Sequence, residues 1–136
     1  MSECVFCKIV KKEIPADIVF ENDHILAFLD INPVNAGHTL IVPKQHCTDL
    51  LDTPDDIIKD MMVHTKKVAK AAVAAVKANG FNIGINTKPA AGQVVFHTHL
   101  HIIPRFSNDG LKHWPHKKLE KAEMLKVKDE IKKALK

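Results

Sequence analysis

Three histidines separated by single residues, His97, His99 and His101, run into the apolar Leu100, Ile102 and Ile103. Side chains alternate across a β-strand, so this spacing puts the three imidazoles on one face and Leu100 and Ile102 on the other. A solvated strand face would normally use Thr, Lys or Glu. A row of imidazoles therefore implies a strand with one apolar face in the core and one face turned to a common site. A helix would scatter the same residues around its circumference.

The rest of the chain supplies partners for such a strand. Residues 18–20 and 25–29 read as two strands about the polar turn Glu21, Asn22, Asp23. Residues 39–42 follow Gly37 and are closed by Pro43, and residues 80–86 form another apolar run. The histidine strand is expected over 94–103, entered from the loop 89–92 and ended by Pro104. Thr53 reads as a helix cap with Pro54 at the first helical position and Asp55 and Asp56 in the first turn. Ile57, Met61, His64, Val68, Ala71, Ala72 and Val76 recur near a 3.6-residue period, so a helix to about Asn79 is expected, stopped by Gly80. A second helix is expected over 118–135, with Leu119, Ala122, Leu125, Ile131 and Leu135 on its apolar side. Sequential strands with helices outside them define an antiparallel α+β fold, with no internal repeat.

At 136 residues and 46% hydrophobic content the chain suits one domain with its own core. The division expected is a body over 1–116 and a Lys-rich helix over 117–136 packed on it or extending it. That helical stretch concentrates the charge. Residues 112–136 hold nine Lys against four acids, net +5, leaving about −1 for the rest of a chain whose total is +4. With 5% aromatic residues and no Tyr, this is a poor nucleic-acid surface. No basic segment followed by an apolar signal region opens the sequence, and no apolar run approaches the ~18 residues of a membrane span. A cytoplasmic protein with no membrane partner is expected.

Near neutral pH an imidazole is largely an uncharged nucleophile, while a neighbour can still donate a proton. That division of labour suits phosphoryl transfer through a covalent intermediate. The run 97–103 resembles the signature of the histidine triad (HIT) family of nucleotide hydrolases and transferases. Further stretches agree in order and spacing: Cys4 and Cys7 before Lys8, Ile9 and Val10; Glu13 to Pro15; Ala27 to Pro33 about Asp30; Gly37 and His38 to Pro43 and His46; and Ala91, Gly92 and Gln93. The similarity covers about residues 4–116.

The resemblance implies a five-stranded sheet, a homodimer and a pocket for a purine nucleotide such as AMP. His97, His99, His101 and His38 form the implied catalytic set. His99 attacks the α-phosphorus to give a nucleotidyl-histidine that water cleaves, and His101 and His38 assist at the phosphate and the leaving group. Asp30 holds the ribose hydroxyls, Phe6, Ile9, Phe28 and Ile31 wall the base, and Asn86 with Gly92, Gln93 and Val94 supplies donors to the phosphate. Many phosphoramidate hydrolases of this type carry Ser where Val94 stands, so Val94 keeps an amide and loses a hydroxyl. Lys112, His113, Trp114 and Pro115 resemble a segment that can reach the neighbouring subunit's site. The implied reaction is hydrolysis of nucleoside 5′-phosphoramidates or related adenylated compounds. Dinucleoside polyphosphate hydrolysis and nucleotide sensing without turnover are the alternatives.

Cys4 and Cys7 have the spacing of half a tetrahedral zinc site or of a free or redox-active thiol pair. The family resemblance implies His46 and His97 as the other two ligands of a structural zinc. Cys47, beside His46, is expected to be a small buried thiol, and His24 and His64 to have no part in catalysis.

Overall fold

Two short, nearly continuous apolar runs, 25–29 and 39–43, build the centre of the molecule, whose computed structural model describes residues 4–136. The elements follow in the order α1 (Val5–Val10), β1 (Ile18–Glu21), β2 (Ile25–Leu29), β3 (Thr39–Pro43), α2 (Asp55–Val76), β4 (Gly80–Ile85), β5 (Leu100–Arg105) and α3 (Lys121–Ala134), with short 3-10 turns at Leu50–Asp52 and Pro89–Ala91. The five strands form one sheet in the order β1-β2-β3-β5-β4, with every neighbouring pair antiparallel.

The sheet carries a core on each face. Ile25, Ala27, Ile41, Leu100 and Ile102 point to one side, where Met61, Val68 and Ala69 of α2 cover them. Leu26, Phe28, Leu40 and Val42 point to the other, where Phe6 and Ile9 of α1 pack. Because Leu100 and Ile102 belong to the α2 side, strand alternation sends His101 to the α1 side. The site lies on this thinly covered face.

Both ends of α2 and both ends of β5 differ from the expectations. Thr53 does not cap α2: Pro54 occupies that position, and the Thr53 hydroxyl donates to the Asp49 carbonyl at 2.7 Å and meets the Thr98 hydroxyl at 2.8 Å. The helix ends at Lys77, which takes a left-handed conformation (φ 58°), and Gly80 is instead the first residue of β4. Strand β5 begins at Leu100, with residues 94–99 outside it. The reason is competition for the backbone: the Thr98 N–H bonds the Cys47 carbonyl at 2.8 Å, and the buried Gln93 amide donates to the carbonyls of Thr48 and Val95. Pro104 lies inside β5 rather than ending it. The register with β3 stops at Ile102, so Pro104 has a strand partner, Phe81, on its β4 side alone.

The second helix forms over Lys121–Ala134, and every residue from 111 to 136 is exposed in the single chain. Its apolar side, including Leu125 and Ile131, has no cover among the described residues.

Candidate active site and metal centre

Helix α1 brings two thiols to two imidazoles. Cys4 caps the helix, its Sγ accepting the Cys7 N–H at 3.4 Å. Cys4 Sγ stands 3.3 Å from His97 Nδ1, and Cys7 Sγ stands 3.2 Å from His46 Nδ1 and 3.6 Å from His97 Nδ1. A tetrahedral zinc with Zn–S near 2.3 Å and Zn–N near 2.0 Å has sulfur-to-nitrogen edges of about 3.5 Å, so these spacings already match the polyhedron. The His97 tautomer matches too. Its Nε2–H donates to the Pro43 carbonyl at 2.8 Å, leaving the Nδ1 lone pair aimed at the sulfurs. Burial drives the His97 pKa down to about 4, keeping the ring neutral, and burial together with the neighbouring Cys4 raises that of Cys7. A half-buried and a buried thiol facing two imidazole nitrogens are a donor set that a divalent cation completes. Cys47 is buried and lies outside this group.

Two residues further on, backbone groups set the protons of His99 and, through His38, of His101. His99 Nδ1–H donates to the His97 carbonyl at 2.7 Å, which leaves Nε2 as an unprotonated lone pair. His38 Nδ1 accepts the Val34 N–H at 3.0 Å, so its proton resides on Nε2 and is donated to His101 Nδ1 at 2.9 Å. His101 therefore carries its own proton on Nε2. Burial lowers the pKa of His38 and His99, and that of His101 falls to about 4 through burial and then the neighbouring His99 and His38 rings. Asp30 Oδ2 lies 3.5 Å from His38 Nε2, while Oδ1 caps a turn by accepting the Asn32 N–H at 2.8 Å. Asp30, His38 and His101 lie close enough to suggest a second cation site. The Val34 amide argues against it, because it occupies the His38 Nδ1 lone pair and keeps the proton on the nitrogen a metal would need.

A cleft of about 480 Å³ opens beside these rings, within the size range of small-molecule sites. Phe6, Ile9 and Phe28 form its apolar floor, Asp30, Asn86, Gly92, His99 and His101 line its polar end, and Ile31 and Val94 sit at its rim, 88% and 82% exposed. The 92–94 turn divides by function. The Gly92 N–H bonds the Pro89 carbonyl, the Gln93 N–H bonds the Lys88 carbonyl, and the Gln93 side chain is 4% exposed beneath the loop. Among the described residues, only the Val94 N–H of these three has no hydrogen-bond partner. Gln93 thus braces the turn. Gly92 takes φ +96°, which a side chain would strain.

His64 Nδ1–H donates to the Asp60 carbonyl and its ring stacks on Phe20, while His24 is exposed; neither lines the cleft. Trp114 is 86% exposed. The groups that sequence reasoning missed are mostly main-chain ones: the Pro43 and His97 carbonyls and the Val34 amide. The Thr53–Thr98 pair was missed as well, since Thr53 was read as a cap.

An antiparallel sheet that presents backbone-oriented imidazoles to a cleft with an apolar floor defines an α+β protein with a histidine-lined small-molecule site. A HIT domain model matches residues 11–108, and the chain belongs to the HIT family. The Arabidopsis thaliana adenylylsulfatase HINT3 is 44% identical over 110 residues, 81% of this chain and 56% of that protein. A crystal structure from Streptococcus mutans UA159 is 36% identical and superposes with a TM-score of 0.93 over 100% of this chain and 87% of that one. A zinc-bound histidine triad family protein from Mycobacterium smegmatis is 41% identical with a TM-score of 0.79, covering 91% of this chain and 90% of that one. Family membership puts the chain among nucleotide-binding proteins and nucleotide hydrolases.

Proposed function

We propose that this protein hydrolyses adenosine 5′-phosphoramidate and related adenylated compounds to AMP through a covalent intermediate on His99. The observation that carries the reading is the His99 tautomer: the 2.7 Å bond to the His97 carbonyl holds the proton on Nδ1, so Nε2 is free to attack. The base stacks on Phe6, Ile9 and Phe28, the ribose hydroxyls donate to Asp30, and the α-phosphate sits between Asn86, the Val94 N–H and the two inner histidines.

In the first step the His99 Nε2–P bond forms as the bond from phosphorus to the leaving amine breaks. The phosphoramidate nitrogen arrives protonated and departs as the neutral amine, while His101 Nε2–H, with His38 Nε2–H in line behind it, donates a hydrogen bond to the phosphate oxygen that gathers charge. Water then attacks phosphorus, loses a proton to the released amine, and frees AMP with the His99 lone pair restored. Neutral imidazoles suit both the attack and this hydrogen-bonded chain. The relative called an adenylylsulfatase supports adenylated compounds as the substrate class.

The metal centre is proposed to be structural: four protein ligands leave no position open for a substrate. A homodimer is the assembly proposed. It is supported by the edge position of β4, where Phe81 and Ile83 are exposed, and by the uncovered apolar side of α3. A reducing cytoplasm is the compartment that keeps Cys4 and Cys7 as metal-binding thiols. No helix among the described residues is long and apolar enough to cross a membrane.

The test is AMP release from adenosine 5′-phosphoramidate by the wild type and His99→Ala, with circular dichroism on both. Loss of at least about 10³-fold in the folded variant is expected for removal of a nucleophile. Equal turnover by the two proteins would refute the assignment. Adenylyl sulfate and a diadenosine polyphosphate, run beside the phosphoramidate, rank the leaving groups.

A further inference from the structure

The apolar wall of the cleft and the metal centre share one short helix. At six residues, α1 is far below the length at which a helix holds itself in water, so its position depends on what grips it. Two grips are visible. Cys4 and Cys7 face His97 and His46 at metal-site spacing, and Phe6, between the cysteines, packs edge-on against the rings of His97, His99 and Phe28 with centroids 5.8, 5.2 and 5.5 Å apart. Phe6 and Ile9 line the cleft on one side of the helix while the thiols converge on the other. His97 belongs to both sites: its ring offers Nδ1 to the metal, and its carbonyl holds His99.

We propose that metal and nucleotide occupancy are thermodynamically linked through α1. A cation on Cys4, Cys7, His46 and His97 clamps the helix over the cleft, and a nucleotide stacked on Phe6 and Ile9 holds the same helix against the metal ligands. Each ligand therefore tightens the other. Without the cation, α1 keeps only its apolar contacts, and the fraction of molecules with the wall in place falls. Apparent nucleotide affinity falls by that fraction. Linkage is reciprocal, so the factor by which metal tightens nucleotide is the factor by which nucleotide tightens metal. A factor of about 10 is expected, inside the usual span of couplings between neighbouring sites. The inference rests on the nucleotide reading of the cleft and extends it to regulation by metal supply.

The experiment uses the full-length zinc-loaded protein. Zinc transfer to a chromogenic chelator is followed at equilibrium with and without saturating AMP, and AMP affinity is measured by calorimetry on loaded and stripped protein. The expected results are zinc retention about 10-fold tighter with AMP and AMP binding about 10-fold weaker after stripping, restored by adding zinc back. Phe6→Ala keeps all four metal ligands and removes the shared contact, so AMP should no longer protect its zinc. Zinc retention unchanged by AMP overturns the linkage, and that arm needs no stripped protein. AMP binding to loaded protein without any effect on zinc sinks the linkage alone. Absence of AMP binding to the loaded protein sinks the nucleotide reading and the linkage together.

Discussion

Acid should destabilise this fold by way of His101 in particular. The ring is packed between His99 and His38, and burial with those two neighbours holds its pKa at about 4, against 6.5 for a solvated imidazole. A lowered folded-state pKa means that the unfolded chain takes up the proton first. Above pH 6.5 both states are neutral and the full stability is present. Between pH 6.5 and pH 4 the unfolded state binds more protons, and stability falls with falling pH. At pH 4.5, two units below the unfolded pKa, His101 alone should have removed about 2–3 kcal/mol at roughly 1.4 kcal/mol per unit. In His101→Asn the side-chain oxygen can still accept the His38 Nε2–H, but nothing titrates. Urea unfolding of both proteins, followed by far-UV circular dichroism at about pH 7 and pH 4.5, isolates the effect. Protonation of the metal ligands is common to both and cancels in the difference. Trp114 is too exposed for its fluorescence to report unfolding. The wild type should lose about 2–3 kcal/mol more than the variant. Losses equal within about 0.5 kcal/mol would refute the half-buried, neutral His101 on which the hydrogen-bonded chain from His38 depends.

Two further outcomes follow from the backbone and the C-terminal segment. Lys77→Gly should raise the melting temperature by a few degrees, because Lys77 ends α2 at φ 58° and ψ 42°, a conformation that costs a non-glycine residue about 1 kcal/mol; Lys77→Ala should bring no such gain, and equal melting temperatures for the two variants would refute the cap. Deleting residues 117–136 should lower urea stability by more than about 2 kcal/mol, because the proposed homodimer covers the apolar side that α3 leaves open in the single chain; stability unchanged within about 0.5 kcal/mol would remove α3 from that interface.

The site's face was legible because strand alternation is strict. Once Leu100 and Ile102 are assigned to the core, His101 has one direction available, and His99 and His97 continue the row even though the ladder starts only at Leu100. The beginning of the strand was not legible, since it depends on Gln93 and Thr98 bonding a loop more than 40 residues away. The end of α2 was misread for a simpler reason: Gly80 is the residue type that usually stops a helix, and here a lysine takes the left-handed position three residues earlier. Site chemistry divides in the same way. Residue types and spacing pointed to the histidine row and the Cys4 and Cys7 pair, and the family resemblance to His38, His46 and the apolar wall, while the proton on each ring is fixed by main-chain carbonyls and amides. No sequence pattern marks Pro43, Val34 or the His97 carbonyl for that task.

The His97 carbonyl also governs how substitutions at this position would read. The atom that aims His99 belongs to the main chain, so no side-chain replacement at position 97 deletes it. On the proposed reading, a His97 variant with lowered turnover therefore measures metal retention and packing under Phe6, with the acceptor that orients His99 still in place. The side chain of the first histidine of the row thus serves Cys4 and Cys7, while its main chain serves His99. A lineage that dispensed with the metal could exchange all four ligands together and keep the attacking ring pointed as before.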